Sequence, residues 1–335
     1  VSISSNCRAS RLFCLVVLLF APHFAAAAPE ATAREVRTDV GGYKLNSVMI
    51  EPAGAGDLPP IVFLHGASAN LHDPLFSFEE KLKGRARLLF VDRPGHGSSD
   101  AGGDENIVPD GQADAIARLM DKRGIRRAVI VGHSFGGAIA AAFAVRHPEK
   151  VVGLVLLSPA VYSWPGGVAW YYDAARAPVT GQVFSTLIAP TVGALALDRA
   201  TAAVFAPNKR PSGYIRGAKI YQALNPMSFR HNAREVAALN DWARNASPAY
   251  RRIRTPTIII TGDADRIVSP DIHARQLARN VRGSELIVVH NLGHKSDYVA
   301  NDVAIAAIER VAGKMRDLQP LVNALERRIA DDGKD

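Results

Sequence analysis

Cysteine is nearly missing from this chain. Only Cys7 and Cys14 are present, and both lie before the alanine run Ala25–Ala28. Residues 1–28 read as a secretory signal peptide. Arg8 and Arg11 precede the apolar run Leu12–Phe20, and Ala25-Ala26-Ala27-Ala28-Pro29 supplies a small-residue cleavage region. That run is short for a spanning helix and is followed by Pro22 and His23. The expectation is export to the periplasm or medium, with an uncleaved membrane anchor as the alternative. A mature chain starting near Pro29 would hold no cysteine. That would exclude disulfides, thiolate metal sites and a cysteine nucleophile.

Aromatic residues are also sparse, at 7%, which argues against a base-stacking surface. The formal charge of +8 comes from scattered short basic groups such as Lys122, Arg123, Arg126 and Arg127. These sit at expected strand starts and helix ends, where they favour a helix C-terminus. No nucleic-acid partner is expected, and a peripheral or anchored membrane association stays open. Internal repeats are lacking. So are a G-x-G-x-x-G loop and a Walker lysine, which leaves no nucleotide-phosphate signature.

What is present is a rhythm. After an antiparallel pair over residues 34–52 with a turn at Gly41-Gly42, short apolar runs alternate with helical stretches. The runs are Ile61–Leu64, Leu88–Val91, Ala128–Val131, Leu154–Leu157, Thr257–Ile260 and Leu286–Val289. They are apolar at nearly every position, as parallel strands covered on both faces must be. The fold class is therefore α/β, a mainly parallel doubly wound sheet. Helical patterns are expected at Asp104–Lys122, Ser269–Asn280, Asp297–Met315 and about Leu318–Ile329, the last interrupted at Pro320. Asp331–Asp335 should fray.

The rhythm stops between residues 161 and 249. Prolines recur there, and Trp164, Trp170, Tyr171, Tyr172 and Phe184 stand among many apolar residues. This stretch reads as a helical cap inserted into a core formed by residues 34–160 and 250–316, with residues 317–335 as a C-terminal helix and tail. An insertion above the carboxyl ends of strands would roof a pocket.

Gly132-His133-Ser134-Phe135-Gly136 follows one apolar run and opens an alanine-rich helical stretch. A strained strand-to-helix turn needs small residues two before and two after its serine, and Gly132, Gly136 and Gly137 provide them. The helix N-terminus offers unpaired N–H groups to a developing anion. Ser134 is the candidate nucleophile.

With this turn, three further motifs occur in order: His65-Gly66-Ala67-Ser68, Asp92-Arg93-Pro94-Gly95-His96-Gly97-Ser98, and Gly262-Asp263-Ala264-Asp265 with Gly293-His294. Together they resemble the α/β-hydrolase superfamily, in its capped, esterase-like branch, from about residue 34 to residue 316. The resemblance implies an eight-stranded-type sheet and a Ser134–Asp265–His294 triad, with Asp263 the competing acid. It also implies an oxyanion hole made by the backbone N–H groups of Ala67 and Phe135. His65 is expected to shape its loop, and Asp92–Ser98 to be architecture. A serine rather than an aspartate at position 134 argues against dehalogenase or epoxide hydrolase chemistry. The expected activity is hydrolysis of a small, apolar carboxylic ester, with no cofactor and no metal. Alternatives are carbon–carbon bond hydrolysis, perhydrolase or haloperoxidase-like acyl exchange, amide or lactone hydrolysis, and a non-catalytic binding protein.

Overall fold

The computed structural model describes residues 34–167, 170–177 and 180–333. The expected export segment, with Cys7 and Cys14, lies outside them.

The apolar runs form strands because β-branched and aliphatic side chains fit a pleated, two-sided core. Eight strands result: β1 (Glu35–Asp39), β2 (Lys44–Ile50), β3 (Ile61–Leu64), β4 (Leu88–Val91), β5 (Ala128–His133), β6 (Val151–Leu157), β7 (Thr257–Gly262) and β8 (Glu285–Val289). Their spatial order is β1-β2-β4-β3-β5-β6-β7-β8. The β1–β2 and β2–β4 pairs are antiparallel and the others parallel. Helices α1 (His72–Leu82), α2 (Pro109–Lys122) and α3 (Phe135–Arg146) cross between the first strands of the parallel set.

Alternate strand residues serve opposite cores, as the pleat requires. Val62, Leu64, Ile130, Leu154 and Ile259 pack on one side with α2 and α3. Ile61, Phe63, Val129, Val155 and Ile258 pack on the other. There Phe63 stacks on Phe78 and Phe90 at centroid distances of 4.9 and 4.7 Å. Such pairs contribute about 0.5–1.5 kcal/mol each beyond burial. Helix α3 is buried along Phe135–Ala144. A helix apolar all round has no solvent face, and its alanines let it lie close against the sheet.

Between β6 and β7 the described residues form no strand. They form α4 (Trp170–Arg176), α5 (Thr180–Val183), a π turn at Phe184–Ile188, α6 (Ala189–Phe205), α7 (Tyr214–Gly217) and α8 (Pro226–Ala246). This is the helical cap. Its run Thr180–Phe205 has a mean hydropathy of 1.3, long and apolar enough to cross a membrane, and only 17% of that window is buried. Leu187 and Leu195 point outward, 66% and 85% exposed.

The chain closes with α9 (Ala274–Asn280), α10 (Ser296–Val299), α11 (Asn301–Val311) and α12 (Gln319–Asp332). Four helical expectations shift. Asp104–Lys122 divides into a 3-10 turn, Asp104–Ile107, and α2, because Pro109 lacks an N–H and fits only a first turn. The helix expected from Ser269 begins at Ala274. Asp297–Met315 is split at Ala300 and ends at Val311. Pro320 does not interrupt the last helix but sits in its first turn, and that helix continues to Asp332.

The sheet order has one functional consequence. After β4 the chain steps across β3 to build β5, so winding reverses between β3 and β5. Loops leaving the carboxyl ends of those two strands diverge and leave a crevice. The loops are His65-Gly66-Ala67-Ser68 and the turn at Ser134, with Leu64 in register with Gly132.

Candidate active site

Ser134 occupies the corner between β5 and α3 with φ 55° and ψ −117°. A non-glycine residue held there costs on the order of 1–3 kcal/mol, and its surroundings must enforce it. Ser134 N–H donates to Leu157 O at 2.9 Å, and Ser134 O accepts from Gly137 and Ala160 N–H. A Cβ on Gly132 would sit 2.3 Å from Gly136 O, and one on Gly136 would sit 2.1 Å from Leu64 O. Both contacts are with backbone, which cannot swing aside. The glycines of G-x-S-x-G are thus demanded by space here.

Asp265 follows β7 and His294 follows β8. His294 Nδ1 donates to Asp265 Oδ2 at 2.9 Å, and both residues are buried. Asp265 Oδ1 accepts from the N–H groups of Ile267 and Val268, each at 2.9 Å. Burial pushes the Asp265 carboxyl up, but the His294 bond and charge and the two N–H donors outweigh it. The carboxyl lies below its ordinary range. It is held ionised and oriented toward one imidazole nitrogen.

The competing acid has a different partner. Asp263 binds His290 Nδ1 at 2.7 Å and Asn291 N–H at 2.7 Å, on the exposed side of the same loops. Of these two Asp–His pairs, Asp265–His294 is the buried one.

His294 meets the serine corner through His133. The two rings lie 4.9 Å apart, and His133 Nε2 donates to His294 O at 3.0 Å. Burial, with Lys295 and His294 nearby, holds His133 well below the ordinary imidazole pKa, so it remains neutral. Among the described residues, Ser134 Oγ makes no hydrogen bond. The structure thus joins Asp265 to His294 and brings His133, the residue before Ser134, against His294, with no hydrogen bond between Ser134 and His294.

The His65–Ser68 loop packs against the same corner. A Cβ on Gly66 would be 3.3 Å from Ser134 Cβ. Among the described residues, the N–H groups of Ala67 and Phe135 have no hydrogen-bond partner. Phe135 opens α3, where the first N–H groups are free by construction. His65 Nδ1 reaches Gly66 O at 2.9 Å and Nε2 accepts from Arg93 N–H at 3.2 Å. It is a neutral loop-shaping side chain, its pKa lowered by burial and then by Arg93 and His96.

Other side chains of acid–base type also have structural partners. Asp92 accepts from Leu71 N–H, Ser98 N–H and Asn46 Nδ2. His96 binds Glu235, and His273 accepts from Val161 and Tyr162 N–H. Among the described residues no group of His, Cys, Asp and Glu could hold a metal ion.

Two cavities, of about 430 and 700 Å³, lie between the cap and α12 and on the cap. Neither is lined by Ser134, Asp265 or His294.

A family model described as the alpha/beta hydrolase fold matches residues 59–297. The chain belongs to the α/β-hydrolase family. Monoacylglycerol lipase abhd6-A of Xenopus laevis is 25% identical over 242 residues, 71% of each chain. A 2-hydroxy-6-oxononadienedioate/2-hydroxy-6-oxononatrienedioate hydrolase of Klebsiella pneumoniae is 28% identical, over 79% of this chain and 90% of its own. The enol-lactonase from Burkholderia xenovorans LB400 superposes with a TM-score of 0.67 at 22% identity, covering 83% of this chain and 100% of that one. The fold and membership of a hydrolase family follow. These relatives carry different substrates in their names, so the bond cleaved does not.

Sequence reasoning missed two buried clusters bordering the site. Lys295, next to His294, is 3% exposed and bridges Asp73 and Asp297, both at 2.9 Å. Arg93 and Glu235, both 0% exposed, pair at 3.1 Å behind the Ala67 loop. Arg93 fell within a turn read as architecture, and Glu235 looked like any helical glutamate. Neither carries a local signal of burial.

Proposed function

We propose that this α/β-hydrolase is a serine hydrolase that cleaves carboxylic esters of small, apolar substrates through an acyl-enzyme. What supports the reading is the buried Asp265–His294 pair, with His133 packed on His294 and the adjoining Ser134 held in a strained, glycine-enclosed corner.

The mechanism follows from residue chemistry. Asp265 holds the Nδ1–H tautomer of His294, which leaves Nε2 as a base. Substrate entry would draw Ser134 Oγ and His294 into hydrogen-bond contact, since such bonds are often long without substrate. Oγ attacks the ester carbonyl while His294 takes its proton. The oxyanion is held by Ala67 and Phe135 N–H, at roughly a hundredfold or more in rate per donor. His294 then protonates the leaving alcohol and later activates water to release the acid. The apolar cap supports an apolar acyl or aryl group.

Purified protein should label at Ser134 with a fluorophosphonate probe and hydrolyse short p-nitrophenyl esters. Ser134→Ala should lose both activities with its melting temperature unchanged. Turnover at the wild-type rate in that variant would sink the site assignment. The likeness to the Klebsiella dienedioate hydrolase favours carbon–carbon bond hydrolysis as a second reading. A vinylogous diketone tested beside an ester series of varied acyl length separates the two.

A further inference from the structure

The Ala67 loop is gripped from outside the core. Asn232 and Glu235 stand three residues apart on cap helix α8, hence on one face of it. Asn232 Oδ1 accepts from Ser68 N–H at 2.8 Å, and its Nδ2 donates to Ser68 Oγ at 3.0 Å. Glu235 binds Arg93 Nη1 through both oxygens, at 3.2 and 3.1 Å. Arg93 Nη2 in turn donates to Gly66 O at 3.3 Å. The same guanidinium lies 4.5 Å over the ring of Phe135.

The peptide geometry gives these contacts a direction. Gly66 C=O and Ala67 N–H belong to one planar trans peptide and point opposite ways. Pulling the carbonyl toward Arg93 aims the Ala67 N–H away from it. The next peptide is pinned through Ser68 N–H, at a residue whose φ of 52° needs such support. We infer that Asn232 and Glu235, the latter through Arg93, are positioning residues by which the cap sets the Ala67 N–H as an oxyanion donor. This rests on the serine-hydrolase reading above. Neither residue touches the reacting atoms. The cap is thereby part of the catalytic scaffold as well as a roof.

Glu235 is well supplied with other partners. Gln112 Nε2 donates to it at 2.6 Å, and His96 and His231 face it at 2.7 and 3.2 Å. Its removal therefore disturbs more than one contact, and the cleaner perturbation is at Asn232.

The test measures ester kcat and KM for Asn232→Ala, Asn232→Asp and Glu235→Gln, together with affinity for a boronic acid analogue of the tetrahedral intermediate. Misplacing an oxyanion donor should cost about tenfold to a hundredfold in rate. Asn232→Ala is expected to lose kcat by that factor with KM within about threefold, and boronate affinity should fall in parallel. Asn232→Asp keeps the acceptor for Ser68 N–H and should recover most of the loss. A merely structural contact would lower the melting temperature or raise KM and leave boronate affinity relative to substrate unmoved. That result overturns the inference, as does an unchanged kcat in Asn232→Ala. If Glu235→Gln fails to fold, the Asn232 pair decides alone. Wild-type protein that labels at Ser134 while the Asn232 variants behave as wild type refutes the clamp only. Wild-type protein that neither labels nor hydrolyses esters refutes the serine-hydrolase reading and the clamp with it.

Discussion

Replacing Asp265 with asparagine tests the heart of the site, because the change is nearly isosteric. The side-chain oxygen facing Ile267 and Val268 N–H can be kept, so the loop need not move. What changes is the atom facing His294 Nδ1, now 2.9 Å from a carboxylate oxygen. An amide NH2 there donates instead of accepting. The imidazole must then accept at Nδ1 and carry its proton on Nε2, where it can no longer take one from Ser134. The wrong tautomer in a serine–histidine–aspartate site costs about 10⁴ in kcat, the handicap measured in a well-studied serine protease. That corresponds to roughly 5 kcal/mol of transition-state stabilisation. Asp263→Asn is the matched control. Its carboxylate bonds the exposed His290 instead of His294, so its replacement should change kcat less than about threefold.

 Asp263 and Asp265 are neighbours in sequence, but only Asp265 meets His294. The assay is steady-state hydrolysis of a p-nitrophenyl ester, with melting temperature as the check on folding. Equal losses in the two variants would refute the assignment of the acid.

Three further outcomes are expected. His273 is buried, and burial lowers its pKa from 6.5 to about 4. A depressed pKa stabilises the fold above the unfolded value, and that contribution disappears as pH falls from 6.5 through about 4. Protonation would also break its two bonds to Val161 and Tyr162 N–H. His273→Gln should therefore flatten the decline of melting temperature between pH 7 and pH 4, and an unchanged slope would contradict this. Lys295→Met leaves Asp73 and Asp297 buried without their shared cation. The expected loss is about 3–5 kcal/mol, read by chemical denaturation, and a loss under about 1 kcal/mol would show that the carboxylates find other partners. Export is proposed from the N-terminal pattern alone. N-terminal sequencing of protein secreted by its host should start near Ala27–Pro29, and a chain that retains the Leu12–Phe20 run would favour an uncleaved anchor.

Much of the fold was legible before any coordinates. Fully apolar runs mark parallel strands because both sheet faces are covered, and the observed β3 to β8 fall on those runs. Helix boundaries were less legible. They depend on where a proline can sit and where tertiary contacts stop paying out, as at Pro109 and Pro320. The glycines of the Ser134 turn could be read from the sequence by their pattern, but only Gly132 has a local cause: a Cβ there would meet Gly136 O, whereas one on Gly136 would meet Leu64 O at the end of β3 and one on Gly137 would meet Pro159 after β6.

By position in the sequence the candidate acid was either of two aspartates, and the family resemblance pointed to Asp265. Asp263 and Asp265 share a loop, and only the path of β8 decides which meets His294 and which meets His290. The buried partners Arg93–Glu235 and Asp73–Lys295–Asp297 left no trace in the sequence at all. Each joins residues far apart in the chain, from core and cap or from α1 and the loop after β8. Local patterns record backbone geometry and burial on one element. Which charges face each other is set when distant elements pack, so the chain by itself determined a capped α/β-hydrolase with a serine corner, and the tertiary structure alone decided what holds that corner's neighbours in place.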